Sequence, residues 1–352
     1  MDITYPILIS YALYRPTMST AFAPGKCILF GEHAVVYGHP AVAVSIDSGV
    51  EITIEESKDW EINNRYNTDG FEKFDSNKHP HIQHIIKDLF NYGGSPLRIN
   101  VQSDLFSGAG LGSSAALSNA MGAALHQFTK PNEEIDLIKL SKIGHSAEAA
   151  TQEGRASPTD SAASSLGGCV VVSGERMDNL KHVFDTSLVT PEGKRSWSIH
   201  SAELHENINQ SWLVLGFTGK SSPTGKMVSG VAERLKENPE LYGEMKSIEN
   251  ITIAGLTALK VGNLEAVGMA MNSCHERLKK LGVSNELLDL MVSATRPHSF
   301  GSKLTGAGGG GCMVALTDNP TRVAQEIELC GGRPLISKFG SSGVFIKKQG
   351  NK

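Results

Sequence analysis

Ten residues from Ser107 to Ala116 read SGAGLGSSAA, with glycines at 108, 110 and 112 ahead of a serine pair and a run of helix formers. Glycine lets the backbone take positive φ and approach a ligand with no Cβ in the way. A helix that starts directly afterwards presents unpaired N–H groups and the positive end of its dipole to an anion. Leu117, Met121, Leu125 and Phe128 recur at the spacing of one buried face, so the periodicity predicts a helix from Ser114 to Phe128. Leu97 to Val101, LRINV, alternates as the strand leading in. Strand, glycine turn and helix thus follow in the order that phosphate binding needs. A tight chain reversal also uses glycines, and one hydroxyl at a helix start is an ordinary cap. The second serine leaves a hydroxyl for a phosphate or a phosphate-bound metal ion. Neither common nucleotide loop fits: a P-loop requires Lys then Ser or Thr after its last glycine, and a dinucleotide fingerprint requires glycine where Ser113 stands.

Two further segments narrow the class. Ala23 to Gly38 reads APGKCILFGEHAVVYG, and Lys303 to Cys312 reads KLTGAGGGGC. The run from Gly306 to Gly311 is too rich in glycine for a helix or strand interior, and Cys312 to Leu316, CMVAL, follows it as a compact apolar strand. With the central loop, these segments resemble in order and separation the signatures of the GHMP small-molecule kinases, named after galactokinase, homoserine kinase, mevalonate kinase and phosphomevalonate kinase. GEH followed by AVVYG is similar to the mevalonate kinase family, since galactokinases usually carry an Asp-Tyr pair there. SPTD at Ser157 to Asp160, followed by Gly167 and Gly168, resembles the catalytic loop of the archaeal and bacterial branch. The resemblance runs from about Ser19 to Leu316.

The resemblance implies an α+β fold of two lobes, the N-terminal one like ribosomal protein S5 and the C-terminal one ferredoxin-like, with the active site between them. The expected division is residues 19–200 and 201–350. It also implies ATP and Mg²⁺ as cofactors, mevalonate as the small-molecule substrate, phosphorylated on its primary 5-hydroxyl in isoprenoid synthesis, and a homodimer. Phosphomevalonate kinase, mevalonate 3-kinase, a galactokinase-like enzyme and a non-catalytic ATP-binding relative are the rival readings. A nicotinamide oxidoreductase is disfavoured because there is no GxGxxG helix start.

Phosphoryl transfer to an alcohol requires a cradle for polyphosphate, a divalent cation, an aligned hydroxyl and relief of its proton. The cradle is Gly108, Ala109, Gly110, Leu111, Gly112, Ser113 and Ser114. By resemblance, the Ser114 hydroxyl and a carboxylate upstream of SPTD hold Mg²⁺, a hard cation that takes oxygen ligands. Glu148 is the candidate, although it lies one residue further from Asp160 than the family pattern, where Ala149 stands. On a continuous helix that shift rotates a side chain by about 100°. An insertion near Glu153 to Arg155 restores the match, and Glu153 is the substitute ligand. Asp160 is the expected base, with Lys26, on a Pro-Gly bend, expected between it and the moving phosphoryl group. Glu32 and His33 are implied to face the acceptor pocket, with Thr218, the SSPT run from Ser221 to Thr224 and Gly308 beside it. Each has an ordinary alternative: an Asx turn or cap for Asp160, a solvated helix charge for Glu148, a structural hydrogen bond for His33.

At 352 residues the chain is long enough for two domains and a large core. A net charge of −4 offers no footprint for nucleic acid. Ile7 to Leu13 falls far short of a membrane span, and Met1 to Thr17 does not read as a secretion signal, so neither nucleic acid nor membrane is an expected partner. Because family members begin shortly before their APGK motif, Met18 is the expected native start. Five cysteines at 27, 169, 274, 312 and 330, without paired metal spacing, suggest neither disulfides nor zinc and point to the reducing cytoplasm. His79, His81 and His84 read as a helix start around Pro80. Further helices are expected at about 81–90, 133–151, 226–236, 241–259, 264–281 and 285–294, and strands at 51–55, 169–173 and 212–217. The boundary between lobes is expected near 190–205, where TPEGKRS is polar and turn-rich.

Overall fold

A computed structural model describes residues 17–64, 70–152, 154, 156–190, 193–222 and 224–348. The first part of the chain runs β1 (Met18–Phe30), β2 (Ala41–Glu56), β3 (Glu61–Asn63), β4 (Glu72–Lys73), α1 (Pro80–His84), β5 (Leu97–Ser103), α2 (Ser113–Thr129), α3 (Leu137–Thr151), α4 (Thr159–Leu166), β6 (Cys169–Ser173), β7 (Lys181–Thr190) and β8 (Gly193–Ala202). The second part runs α5 (Glu206–Gln210), β9 (Trp212–Phe217), α6 (Thr224–Glu237), α7 (Tyr242–Val261), α8 (Leu264–Lys280), α9 (Glu286–Thr295), β10 (Gly301–Thr305), β11 (Cys312–Thr317), α10 (Pro320–Leu329), β12 (Arg333–Lys338) and β13 (Phe345–Ile346).

The first lobe is a mixed sheet ordered β4-β3-β5-β2-β6-β8-β7, with β1 also paired to β2 and β13 to β1. The helix α2 lies against β1 and β2, and α3 and α4 pack beside it. Its alanines at 115, 116, 120, 123 and 124 are buried, and such small side chains let a helix be enclosed by sheet and helices together. The ladder from Met18↔Glu55 to Phe30↔Val42 shifts register between Pro24 and Lys26. Proline has no N–H for the ladder, and the resulting irregularity re-aims the next side chain, which is that of Lys26.

The second lobe is an antiparallel sheet ordered β10-β11-β9-β12. Against it pack α8, α9 and α10, each burying one stripe: Val267, Met271, Cys274 and Leu278 in α8, Leu288, Met291 and Val292 in α9, Val323 and Ile327 in α10. An α+β chain of two lobes is the result.

Four expectations need adjustment. The third helix starts at Leu137 and not near Glu133, because the Asp136 carboxylate caps it by accepting from the N–H groups of Ile138 and Lys139 at 2.9 and 3.0 Å. The helix expected at 81–90 is one α-turn from Pro80 that continues as a π-turn over Ile85–Leu89. The TPEGKRS segment is a hairpin within the first lobe, with Thr190 opposite Gly193, while Pro191 and Glu192 lie outside the described residues. The chain passes to the second sheet only after Ala202, through α5. The tail then comes back: Val344 N–H donates to Ser165 at 3.0 Å, and β13 pairs with β1 in the first sheet.

Among the described residues no helix is long and apolar enough to cross a membrane, and no group of three or more His, Cys, Asp or Glu is placed to hold a metal ion. All five cysteines are unpaired. The histidines of α1 bind α3 instead: His81 Nε2 lies 3.0 Å from Thr151 Oγ1, and His84 Nε2 lies 3.3 Å from Ser146 Oγ.

Candidate active site

The phosphate loop gets its shape from alternation. Gly108, Gly110 and Gly112 have φ of 63°, 76° and 71°, the left-handed region that L side chains avoid. Between them Ala109 and Leu111 are buried in the core, so the apolar side chains anchor the loop and leave its backbone outermost. Gly112 serves as the N-cap of α2 and, having no side chain, leaves the amides that open this helix uncapped by its own residue. A Cβ at Gly112 would lie 2.9 Å from Lys26 Cγ; only glycine admits the lysine stem there.

Lys26 is bound to the loop twice and to Asp160 once. Its N–H donates to Leu111 O at 2.9 Å, its Nζ donates to Gly110 O at 2.9 Å, and the same Nζ lies 3.1 Å from Asp160 Oδ1. The lysine side chain is 3% exposed and that of Asp160 is 30% exposed, so the aspartate is the partner that reaches open space. Asp160 stands in the first turn of α4.

Glu148 and Ser114 meet across helices, the hydroxyl of Ser114 donating to Glu148 Oε1 at 2.7 Å. Glu148 is buried, and its carboxyl is pushed up to about 8, first by burial and then by the Asp160 carboxylate, against the pull of the Ser114 hydroxyl and the Lys26 ammonium. The extra residue anticipated between Glu148 and Asp160 is accommodated after the helix: Gln152 is its C-cap, and Gly154, at φ 80°, returns its N–H to Ala149 O at 2.8 Å. The phase of α3 through Glu148 is therefore undisturbed. Glu153 and Arg155 lie outside the described residues.

The carboxyl-end glycine loop lies against the phosphate loop. A Cβ at Gly311 would be 2.8 Å from Ala109 O, and one at Gly306 would be 3.3 Å from Gly110 O. Ser222 closes the group, its N–H donating to Gly108 O at 2.8 Å and its hydroxyl to Gly308 O. The amino-end segment joins through Thr305, whose Oγ1 both accepts from Ile28 N–H and donates to Ile28 O at 3.0 Å. Three segments distant in sequence form one glycine-lined junction.

The expected acceptor residues divide. His33 is 5% exposed at φ 61°, its Nε2 donates to Ala307 O at 2.9 Å, and its buried Nδ1 has no partner among the described residues. Positive φ on a non-glycine residue is strained; burial lowers the histidine pKa, opposed by the hydrogen bond to Ala307. Glu32 instead points inward. One carboxylate oxygen is bound by Lys303 Nζ, and the other accepts from the Cys274 thiol at 3.9 Å. Burial raises the Glu32 carboxyl against the pull of Lys303; burial is also the largest influence on the Lys303 ammonium and works against it, but Glu32 with Cys274 and Cys27 together raise that pKa. Breaking such a pair by removing one partner leaves a buried unpaired charge, so each group depends on the other. Thr218 likewise spends its hydroxyl internally, on Gly311 O at 3.0 Å and Lys220 O at 3.2 Å. Gly308, at φ 77°, is backed by Val283, whose carbonyl would lie 2.0 Å from an added Cβ. Lys303 had no role in the sequence reading; the signal was a lysine beside Leu304 in a strand whose five residues are all buried.

Comparison with known proteins follows the same lines. The family descriptions "GHMP kinases N terminal domain" and "GHMP kinases C terminal" match residues 80–168 and 256–328. The mevalonate kinase of Pyrococcus furiosus is 30% identical over 356 residues, covering 93% of this chain and 98% of that protein. That of Methanothermobacter thermautotrophicus is 34% identical over 303 residues, covering 84% and 89%. The crystal structure of Methanococcus jannaschii mevalonate kinase superposes with a TM-score of 0.73 at 27% identity, covering 92% of this chain and 98% of that one. Near full-length agreement with these relatives, together with two family domains that each contain one of the glycine loops, places the chain in the mevalonate kinase family of the ATP-dependent GHMP kinases.

Proposed function

We propose that the protein transfers the γ-phosphoryl group of ATP to the primary 5-hydroxyl of (R)-mevalonate. The observation that carries the reading is the Lys26–Asp160 pair, 3.1 Å apart at the lip of the phosphate loop. In the family kinases an alcohol must lose its proton as its oxygen attacks phosphorus. Asp160, anchored by Lys26 and partly exposed, accepts that proton. The alcohol oxygen forms the new bond to the γ-phosphorus, the bond to the β-phosphate oxygen breaks, and ADP leaves. The Lys26 ammonium offsets negative charge gathering on the oxygen and the moving group. Amides of Gly108 to Ser114 hold the remaining phosphates.

Ser114 and Glu148 fit Mg²⁺. Both are oxygen donors, 2.7 Å apart, and the Glu148 carboxyl is raised to about 8 in a buried place where Lys26 is the cation opposing Asp160. When bound, Mg²⁺ would neutralise charge on the phosphate oxygens. His33, with its Nδ1 unpartnered among the described residues, is the side chain we assign to the acceptor's polar groups.

The test is ADP release measured against mevalonate, phosphomevalonate, galactose and homoserine. Turnover with mevalonate alone is expected, and turnover confined to galactose would overturn the substrate assignment.

A further inference from the structure

Ser114, Glu148 and Asp160 are carried by three different helices, α2, α3 and α4. Two buried polar side chains tie those helices to the segment that bears Asp160. Asn119, on α2, is 0% exposed and donates its Nδ2 to Ser161 O at 2.9 Å. His145, on α3 a turn before Glu148, is 2% exposed and donates its Nε2–H to Ala156 O at 3.1 Å. Both bonds land close to Asp160, one directly after it and one at the start of its loop. The close approach depends on Gly144, where a Cβ would lie 2.3 Å from Asn119 Oδ1 and 3.1 Å from Ser161 Cβ. On its other side the His145 ring meets the edge of Trp197, with centroids 5.6 Å apart.

Neither residue is what packing alone would select. Asn119 Oδ1 is buried without a hydrogen-bond partner among the described residues, and an unpaired buried carbonyl costs free energy that an apolar side chain would avoid. Burial keeps His145 below its ordinary pKa, so it offers a neutral N–H at the price of a desolvated ring. Each bond fixes direction as well as distance, which an apolar contact does not. A base must be placed before its pKa matters, and a misplacement of about 1 Å costs on the order of a hundredfold in rate.

We propose that Asn119 and His145 are positioning residues for phosphoryl transfer, a buried brace that sets the Asp160 loop against the helices carrying Ser114 and Glu148. The inference rests on the assignment of Asp160 as base and deepens it. The test compares Asn119→Ala, His145→Ala and His145→Gln with the parent, using whichever acceptor of the panel above the parent phosphorylates. Expected is a fall in kcat of about tenfold to a hundredfold in both alanine variants. KM for ATP and calorimetric affinity for an ATP analogue stay at the parental values. His145→Gln, whose amide N–H still reaches toward Ala156 O, recovers most of the loss. Parental kcat in folded Asn119→Ala overturns the proposal, as does a kcat loss matched by an equal loss of nucleotide affinity. Should His145→Ala not fold, Asn119→Ala and His145→Gln decide the matter. Asp160→Asn, measured alongside, separates the two ideas: parental turnover in that variant defeats the base assignment, whereas an inactive Asp160→Asn beside a fully active Asn119→Ala defeats only the brace.

Discussion

Lys26 holds both ends of the proposed chemistry, since the ammonium that steadies Gly110 O at 2.9 Å also lies 3.1 Å from Asp160. Removing charge from Asp160 while keeping its shape should therefore affect the proton and not the cradle. Asp160→Asn is expected to lower turnover by about 10² to 10⁴, roughly 3 to 5 kcal/mol of barrier, with nucleotide affinity unchanged by calorimetry. Turnover near the parental value would remove Asp160 from the base role. At this scale the sequence was legible where a residue's partner lies within its own motif or follows from backbone demand, as for Gly108, Gly110 and Gly112. It did not disclose how Glu32 and Thr218 are held, their polar atoms being bound by Lys303 and by the backbone of Gly311 and Lys220. No local pattern announces a partner more than ninety residues away in the chain, as Gly311 is from Thr218.

Elements of the second lobe are joined by a buried histidine with a measurable signature. His275 on α8 is 1% exposed, accepts from Leu304 N–H through Nδ1 at 3.2 Å, and meets Asp289 of α9 through Nε2 at 3.2 Å. Burial pushes its pKa down from 6.5 to about 4, against the pull of Asp289. The unfolded chain thus binds more protons than the folded one between these values, and stability falls as pH drops from 6.5 toward 4. The contribution at stake is about 3 kcal/mol. Denaturant melts across that range should show the slope, and His275→Gln, which keeps a donor and an acceptor, should flatten it; an unchanged slope would place the proton elsewhere. Element positions were largely readable, β6 and β9 to the residue, because hydrophobic period and turn chemistry are local. Helix α3 began late because Asp136 won the cap, a competition that periodicity does not weigh.

Across the whole molecule the two lobes are bound back together by the tail. A Cβ at Gly343 would lie 2.1 Å from Ser165 O, and no positive φ is involved, so the demand there is for space alone. Gly343→Val is expected to cost about 1 to 3 kcal/mol by overpacking, lowering the denaturant midpoint while leaving KM for ATP unaltered; an unchanged midpoint would mean that the tail is not tightly held. That return of the chain escaped the sequence reading, as did the hairpin at Thr190, because a polar turn looks alike whether it separates lobes or joins strands. The amino-acid order by itself determined the glycine loops and, to within a residue, the helix expected from Ser114, since each follows from what a short stretch of backbone can or cannot adopt, while the family was legible as a resemblance of three motifs. Only the tertiary structure decided which carboxylate meets Ser114, where Glu32 is spent, and that Asn119 and His145 converge near Asp160. Those are pairings between segments, chosen when distant helices close on one another and every buried polar atom has to find, or forgo, a partner.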